Sequence, residues 1–212
     1  MRDWANWALE TARVRGASYA DARVMDIRQR DLSTKNGRVG TLAESESLGI
    51  GVRVIAAGAW GFAATDQLTR EGVQACAARA VSIAKASALT KRGKLVLAPE
   101  QAHVDTWQNP FVKDPFRIPL ERQLDLLLVA DKEMSRVTGV TLTETSMQFR
   151  RIEQLFASSI GSVIQQVKMQ SGCGIVATSF GEHEIQKRSY PNSFGGQHML
   201  TGYEMVEALD LV

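Results

Sequence analysis

ESLGIGVRVIAAGAWGFAATD, residues 46–66, is the stretch on which the fold class turns. Ile50, Val52 and Val54 alternate with small residues and with Arg53, the only charge between Ser47 and Thr65. An alternating β-branched run reads as a strand, and the Ala-Gly-Ala-Trp-Gly after it predicts a tight turn at Gly58 and a second strand through Trp60 and Phe62. Glycines stand at 49, 51, 58 and 61. Inside a strand, glycine marks a bulge or a place where another backbone comes close. These are the marks of a packed scaffold rather than a reaction centre.

Upstream, Trp4, Trp7, Ala8, Thr11 and Ala12 recur at helical spacing, predicting an amphipathic helix that ends near Gly16. A β-rich tract follows over 21–66, punctuated by Asn36-Gly37, a strong hairpin signal. Downstream, Thr69 fits an N-cap and Glu71 suits the positive end of a helix. Val73, Cys76, Ala77, Ala80, Val81 and Ala84 form one apolar stripe, so residues 70–88 read as a helix on the sheet, with Cys76 in the core.

Residues 90–119 open with Lys91, Arg92 and Lys94 and hold four of the five prolines: Pro99, Pro110, Pro115 and Pro119. That composition predicts an extended connector, held along the body by Trp107 and Phe111. Beyond it the order of the first part recurs. Leu120, Leu124, Leu127, Leu128 and Met134 mark a helix. Strands are expected around 139–149, 151–158, 163–170, 174–180 and 183–190, and a closing helix from Gly202. Leu32, Gly37, Val39, Gly49 and Gly51 overlay Leu155, Gly161, Val163, Gly172 and Gly174, each spacing matching within one residue. Such self-similarity points to a duplicated unit. The expected fold is α+β: two similar helix–antiparallel meander–helix halves, 1–89 and 120–212, joined by the Pro-rich connector 90–119.

At 212 residues, 44% apolar and 23% charged, the chain has the composition of an ordinary globular protein with a genuine core. A net charge of +2 leaves no electrostatic footprint for nucleic acid. The longest apolar run, Val54 to Ala64, falls short of the roughly 20 residues of a membrane span. The first residues, broken by Asp3, Glu10, Arg13 and Arg15, lack the apolar segment of a signal peptide. Two cysteines far apart, Cys76 and Cys173, indicate neither a zinc knuckle nor a disulfide framework. The expected setting is therefore cytoplasmic.

His183-Glu184 is the only dipeptide that could open a zinc-protease helix. Such a helix needs a second histidine one turn on, so that both imidazoles face one metal. Lys187 and Arg188 stand there instead, and the stretch reads as a surface strand. His103 and His198 have no acidic or cysteine neighbour at ligand spacing. Gly49-Ile50-Gly51 lacks the third glycine and the helix of a nucleotide fingerprint. No G-x-S-x-G or P-loop occurs, and no catalytic or metal-binding residue is assigned.

Seven segments together resemble the amino-terminal domain of the TldD/PmbA family, the "modulator of DNA gyrase" zinc metalloproteases, and the TldD branch most. They are GASYADARV (16–24), NGRVG (36–40), GIGVRVIAAGAWGFAATDQLT (49–69), DTWQNPF (105–111), LFASSIGSVIQQ (155–166), RSYPNSFGGQ (188–197) and GYEMVEALDLV (202–212). The resemblance implies a zinc site on an HExxxH helix with a distant cysteine ligand, all in a carboxy-terminal domain, and none of those positions is present here. Cys173 falls in the wrong half to be that ligand, and Ala208 to Val212 looks like an interrupted element. The resemblance also implies a homodimer or a TldD/PmbA-type heterodimer whose enclosed chamber admits unfolded peptides. This chain would be a non-catalytic wall of that chamber, with no zinc of its own. Ser189 to Gly196 would be either a rim loop or a structural turn. The alternatives are a freestanding non-catalytic protein that binds peptides or caps a partner, and a DNA-associated regulator.

Overall fold

The computed structural model describes residues 1–91, 93, 95–192 and 196–212. Helix α1 (Arg2–Val14) leads into two long strands, β1 (Tyr19–Lys35) and β2 (Arg38–Ala56). Asn36 and Gly37 join them at φ 48° and 73°. Two successive positive φ values make the type I′ turn that suits strand twist, and asparagine and glycine reach them at least cost. Strand β3 (Ala59–Thr65) folds back on β2 in antiparallel register, from Ala56↔Ala59 to Ile50↔Thr65. Helix α2 (Arg70–Ser87) is capped by Thr69, whose Oγ1 accepts from the Gly72 N–H at 3.1 Å. Then come β4 (Val104–Gln108), α3 (Leu120–Ser135), β5 (Leu142–Ser158), β6 (Val163–Phe180), β7 (Ile185–Tyr190), β8 (Gln197–Met199) and α4 (Glu204–Ala208). The sheet has eight strands in the order β3-β2-β1-β5-β6-β4, with β7 and β8 also pairing β6. The class is α+β, and a helix–strands–helix order occurs twice along the chain, with three strands between α1 and α2 and four between α3 and α4.

Several boundaries differ from the expectation. The Pro-rich connector carries β4, which pairs parallel to β6 from Val104↔Val163 to Gln108↔Val167, so the sheet is not wholly antiparallel. The two strands expected at 139–149 and 151–158 are one, β5, and those at 163–170 and 174–180 are one, β6. The polar pair Arg150-Arg151 and the glycines at 172 and 174 resemble breaks in sequence, but the ladder runs through both. The Arg92 and Lys94 parts of the connector reading lie outside the described residues.

By packing, the chain forms two compact units that interleave in sequence. The first comprises 1–27, 47–108 and 152–167; the second comprises 28–46, 109–151 and 168–212. Element order thus repeats along the chain, while packing assigns each long hairpin's tip, 28–46 or 152–167, to the unit built around the other half's helices.

In the first unit, Ala5, Ala8 and Ala12 of α1 and Val73, Cys76, Ala77, Ala80, Val81 and Ala84 of α2 are buried with Ala20, Ala22 and Val24 of β1 and Ile50, Val52 and Val54 of β2. A core this rich in alanine lets backbones come close. At Gly61 on β3 an added Cβ would lie 2.1 Å from the Ala80 carbonyl oxygen and 2.5 Å from the Ala84 nitrogen. Cys76 is a core residue, as the apolar stripe predicts, and its thiol pKa is raised by burial.

In the second unit, Leu127, Ala130, Met147, Phe149, Cys173, Tyr203, Met205 and Val206 form the apolar core around Leu32. Burial pushes the Cys173 thiol up to about 11. A polar network is buried beside it. Asp131 of α3, with no exposed surface, accepts from Thr34 Oγ1 at 2.7 Å, the Gly37 N–H at 3.0 Å and Thr143 Oγ1 at 2.5 Å. Helix α3 thereby holds the β1–β2 turn by its main chain.

Glu204, at the start of α4, closes the same unit. Its carboxylate accepts from the N–H groups of Val112 (3.1 Å), Lys113 (2.9 Å) and Gly202 (2.9 Å) and from Thr201 Oγ1 (2.7 Å). Burial alone would raise its pKa; the hydrogen bonds from Thr201, Lys113 and Gly202 outweigh it and bring the carboxyl to about 2. A depressed carboxyl pKa stabilises the fold above the unfolded value of 4.5, and the gain is lost as pH falls from there towards 2. Glu204→Gln is expected to cost about 1–2 kcal/mol at pH 7, the scale of hydrogen bonds to a charged group. Urea midpoints of the two proteins should converge as pH drops through that window; a pH-independent gap would show that the charge is immaterial.

Candidate functional site

Strand alternation in the first unit separates two faces. Ala20, Ala22 and Val24 go to the core, and Asp21, Arg23, Met25 and Ile27 go to the opposite face of β1. On β2 and β3 the same alternation puts Arg53, Trp60 and Phe62 on that face. The result is a groove of about 740 Å³ across β1, β2 and β3.

At its base Asp21, 2% exposed, accepts from Arg53 Nη2 at 2.7 Å and Nε at 2.8 Å. Burial alone would lower the Arg53 pKa, but its hydrogen bond to Asp21 and the charge of that carboxylate outweigh it and hold the guanidinium more firmly protonated. The Arg53 guanidinium lies 4.7 Å from the centre of the Trp60 ring, and Trp60 meets Tyr19 edge-on with centroids 6.0 Å apart. Burial, and then the charge of Asp21, raise the Tyr19 phenol. This aromatic and ionic cluster is locked and has the rigidity of a binding floor.

Beside it the groove turns apolar, with Met25, Ile27, Leu48 and Phe62 among its lining. Phe62 is 58% exposed and lies against Gly51, where an added Cβ would be 3.1 Å from the ring. Arg23 and Asp66 stand at the margins. Neither histidine nor cysteine is among the residues that line the groove. The chemistry this surface offers is recognition.

The histidines stay apart from it. His183 is exposed in the bend before β7, two positions ahead of the strand's first residue rather than within the strand expected for it, and Lys187 and Arg188 follow within β7. His103 is exposed before β4, and His198 lies on β8 against Gly172. Among the described residues no three His, Cys, Asp or Glu side chains come together to hold a metal ion. The described residues do not fit zinc. Of the Ser189–Gly196 segment, Tyr190 is fastened by its hydroxyl to the Leu209 carbonyl at 2.8 Å, whereas Ser193, Phe194 and Gly195 lie outside the described residues. Among those described, no helix is long and apolar enough to cross a membrane.

The sequence reading did not find the groove. Its signal was the contrast on β1 between small residues at 20 and 22 and the bulky set Arg23, Met25 and Ile27 at odd positions. Which odd-numbered face stays uncovered depends on where the helices pack.

Residues 20–84 match the family model described as PmbA/TldA metallopeptidase domain 1. A metalloprotease of Methanothermobacter thermautotrophicus is 27% identical over 193 residues, which are 91% of this chain and 40% of that protein. A metalloprotease of Methanocaldococcus jannaschii is 22% identical over 149 residues, 69% of this chain and 32% of that protein. The chain therefore spans less than half the length of the curated relatives it matches. Among solved structures, a Thermotoga maritima protein whose name ties it to DNA gyrase modulation superposes with a TM-score of 0.76 at 12% identity, covering 99% of this chain and 46% of its own. TldE of Thermococcus kodakarensis does so with a TM-score of 0.66 at 12% identity, covering 98% and 45%. At such identities these two likenesses concern the fold alone.

Proposed function

Because the chain is a member of the TldD/PmbA family by its first domain, we propose that it is the amino-terminal domain of a TldD-type zinc metallopeptidase. The enzyme would cleave unfolded peptides inside an enclosed cytoplasmic dimer, either a homodimer or a TldD/PmbA-type heterodimer. This domain supplies wall and recognition surface, and the zinc ligands and the general base come from residues beyond it. One observation carries the reading: the Methanothermobacter metalloprotease aligns with nearly all of this chain, yet the chain accounts for only 40% of its length. No role in binding DNA is carried over from the gyrase-linked names, since a net charge of +2 gives a duplex little to bind.

The test is to express the reading frame extended past Val212 beside the 212-residue chain and to measure zinc content and cleavage of an unstructured peptide in both. One zinc per subunit and hydrolysis in the extended protein only are the expected results. A natural stop codon at that point, with no metal or activity, would favour a freestanding peptide-binding protein. Stoichiometric zinc and cleavage by the 212-residue chain would overturn the assignment of the chemistry elsewhere.

A further inference from the structure

We propose that the groove across β1, β2 and β3 binds a short peptide with both termini free, about three residues long and apolar at its centre. The groove's charges are laid out for such a ligand. Arg53 is already engaged by Asp21. Arg23 is not: its guanidinium stacks 5.5 Å from the centre of the Phe156 ring and, among the described residues, has no carboxylate partner. Asp66, just past the end of β3, likewise forms no ion pair among the described residues. Both are exposed and both line the groove. A cation on β1 and an anion just past β3, neither with an ion-pair partner among the described residues, complement a carboxylate and an ammonium carried by one molecule.

Size selects the ligand further. Arg23 is on β1 and Asp66 follows β3, with β2 between them. Two strand spacings are roughly 10 Å, and three extended residues span roughly that length. Between the two charged strands the Phe62 ring lies over Gly51 of β2, and with Met25, Ile27 and Leu48 in the same groove it makes a floor that rewards an apolar side chain. A longer chain passing through would present neither terminus to these margins. The peptide would therefore lie across the strands, its carboxylate on Arg23, its ammonium on Asp66 and its central side chain against Phe62.

Isothermal titration of the 212-residue chain with Ala-Leu-Ala tests this, alongside the same tripeptide N-acetylated, C-amidated, or carrying Asp at its centre. Saturable binding of the free tripeptide is expected, with each modification weakening it by about tenfold, the scale of one charge-assisted contact or one buried aliphatic side chain. Arg23→Gln should abolish the effect of amidation but not that of acetylation, and Asp66→Asn should do the reverse. Phe62→Asp should weaken the free tripeptide about tenfold while leaving the far-UV spectrum unchanged. Absence of saturable binding, indifference to capping, or capping effects that survive both charge variants would overturn the proposal. The readout is binding to this chain, so its failure leaves the peptidase assignment standing, and an inactive extended protein leaves the groove's ligand unaffected.

Discussion

Gly61→Ala is expected to be among the most damaging single substitutions in the chain, although it adds only one methyl group. The atoms that methyl would meet, Ala80 O at 2.1 Å and Ala84 N at 2.5 Å, belong to the main chain of α2. A side chain could rotate away, but a helix must lift off the strand as a body, and with it the row Ala77, Ala80 and Ala84 that fills the first core. Overpacking of this kind costs about 3 kcal/mol, or roughly 10 °C in Tm for a chain of this size. Gly61→Val should leave no cooperative transition. Adding Ala84→Gly removes the neighbouring Cβ at 2.8 Å but not the blocking main-chain atoms, so it should not rescue. Denaturant unfolding of the three proteins is the check, and a Gly61→Ala midpoint close to wild type would mean that α2 does not seat on β3.

Asp131→Ala should be of similar severity for the opposite reason, because it removes rather than adds. Three donors, Thr34 Oγ1, the Gly37 N–H and Thr143 Oγ1, converge on this fully buried carboxylate. Truncation strands the two buried threonine hydroxyls and loosens the Gly37 turn, and each unsatisfied buried group costs about 1–3 kcal/mol, partly recovered here because the Thr34 and Thr145 hydroxyls lie 2.7 Å apart and can bond each other. A net loss of about 3–4 kcal/mol follows. Asp131→Asn keeps an acceptor for Gly37, and its amide can donate to threonine hydroxyls that turn over, so about half that loss is expected. Amide hydrogen exchange separates the cases: Gly37 should lose protection in the alanine variant and keep it in the asparagine variant. Equal midpoints for the two variants would show that the loss comes from volume and not from the stranded donors.

What the sequence disclosed was local. Asn36-Gly37, the turn at Gly58, the Thr69 cap and the stripe from Val73 to Ala84 each carry their instruction within a few residues, and each stands where it was expected. What it concealed depends on partners far away in the chain. The segment Val104–Gln108 is short and exposed, and only its pairing with Val163–Val167 makes it a strand. Leu32 and Leu155 overlay as equivalent leucines, but Leu32 is buried in the second unit's core and Leu155 in the first's. Nothing in either leucine's own neighbourhood could have announced that exchange. The groove was hidden in the same way, since alternation on β1 assigns two faces but not which one the helices cover.

The interleaving of the two units sets how the chain can be made. A ribosome that has released residues 1–89 has delivered both helices of the first unit but not Leu155 or Ala157, which complete its interior. The second unit must draw back residues 28–46, synthesised long before α3 exists. Neither interior can mature as its own stretch of chain emerges. Pairings this distant along the chain slow folding, because loop closure comes before the contacts that reward it. Consolidation therefore waits for the second half of these residues to emerge, and until then the nascent chain offers unpaired strands to whatever else is in the cell.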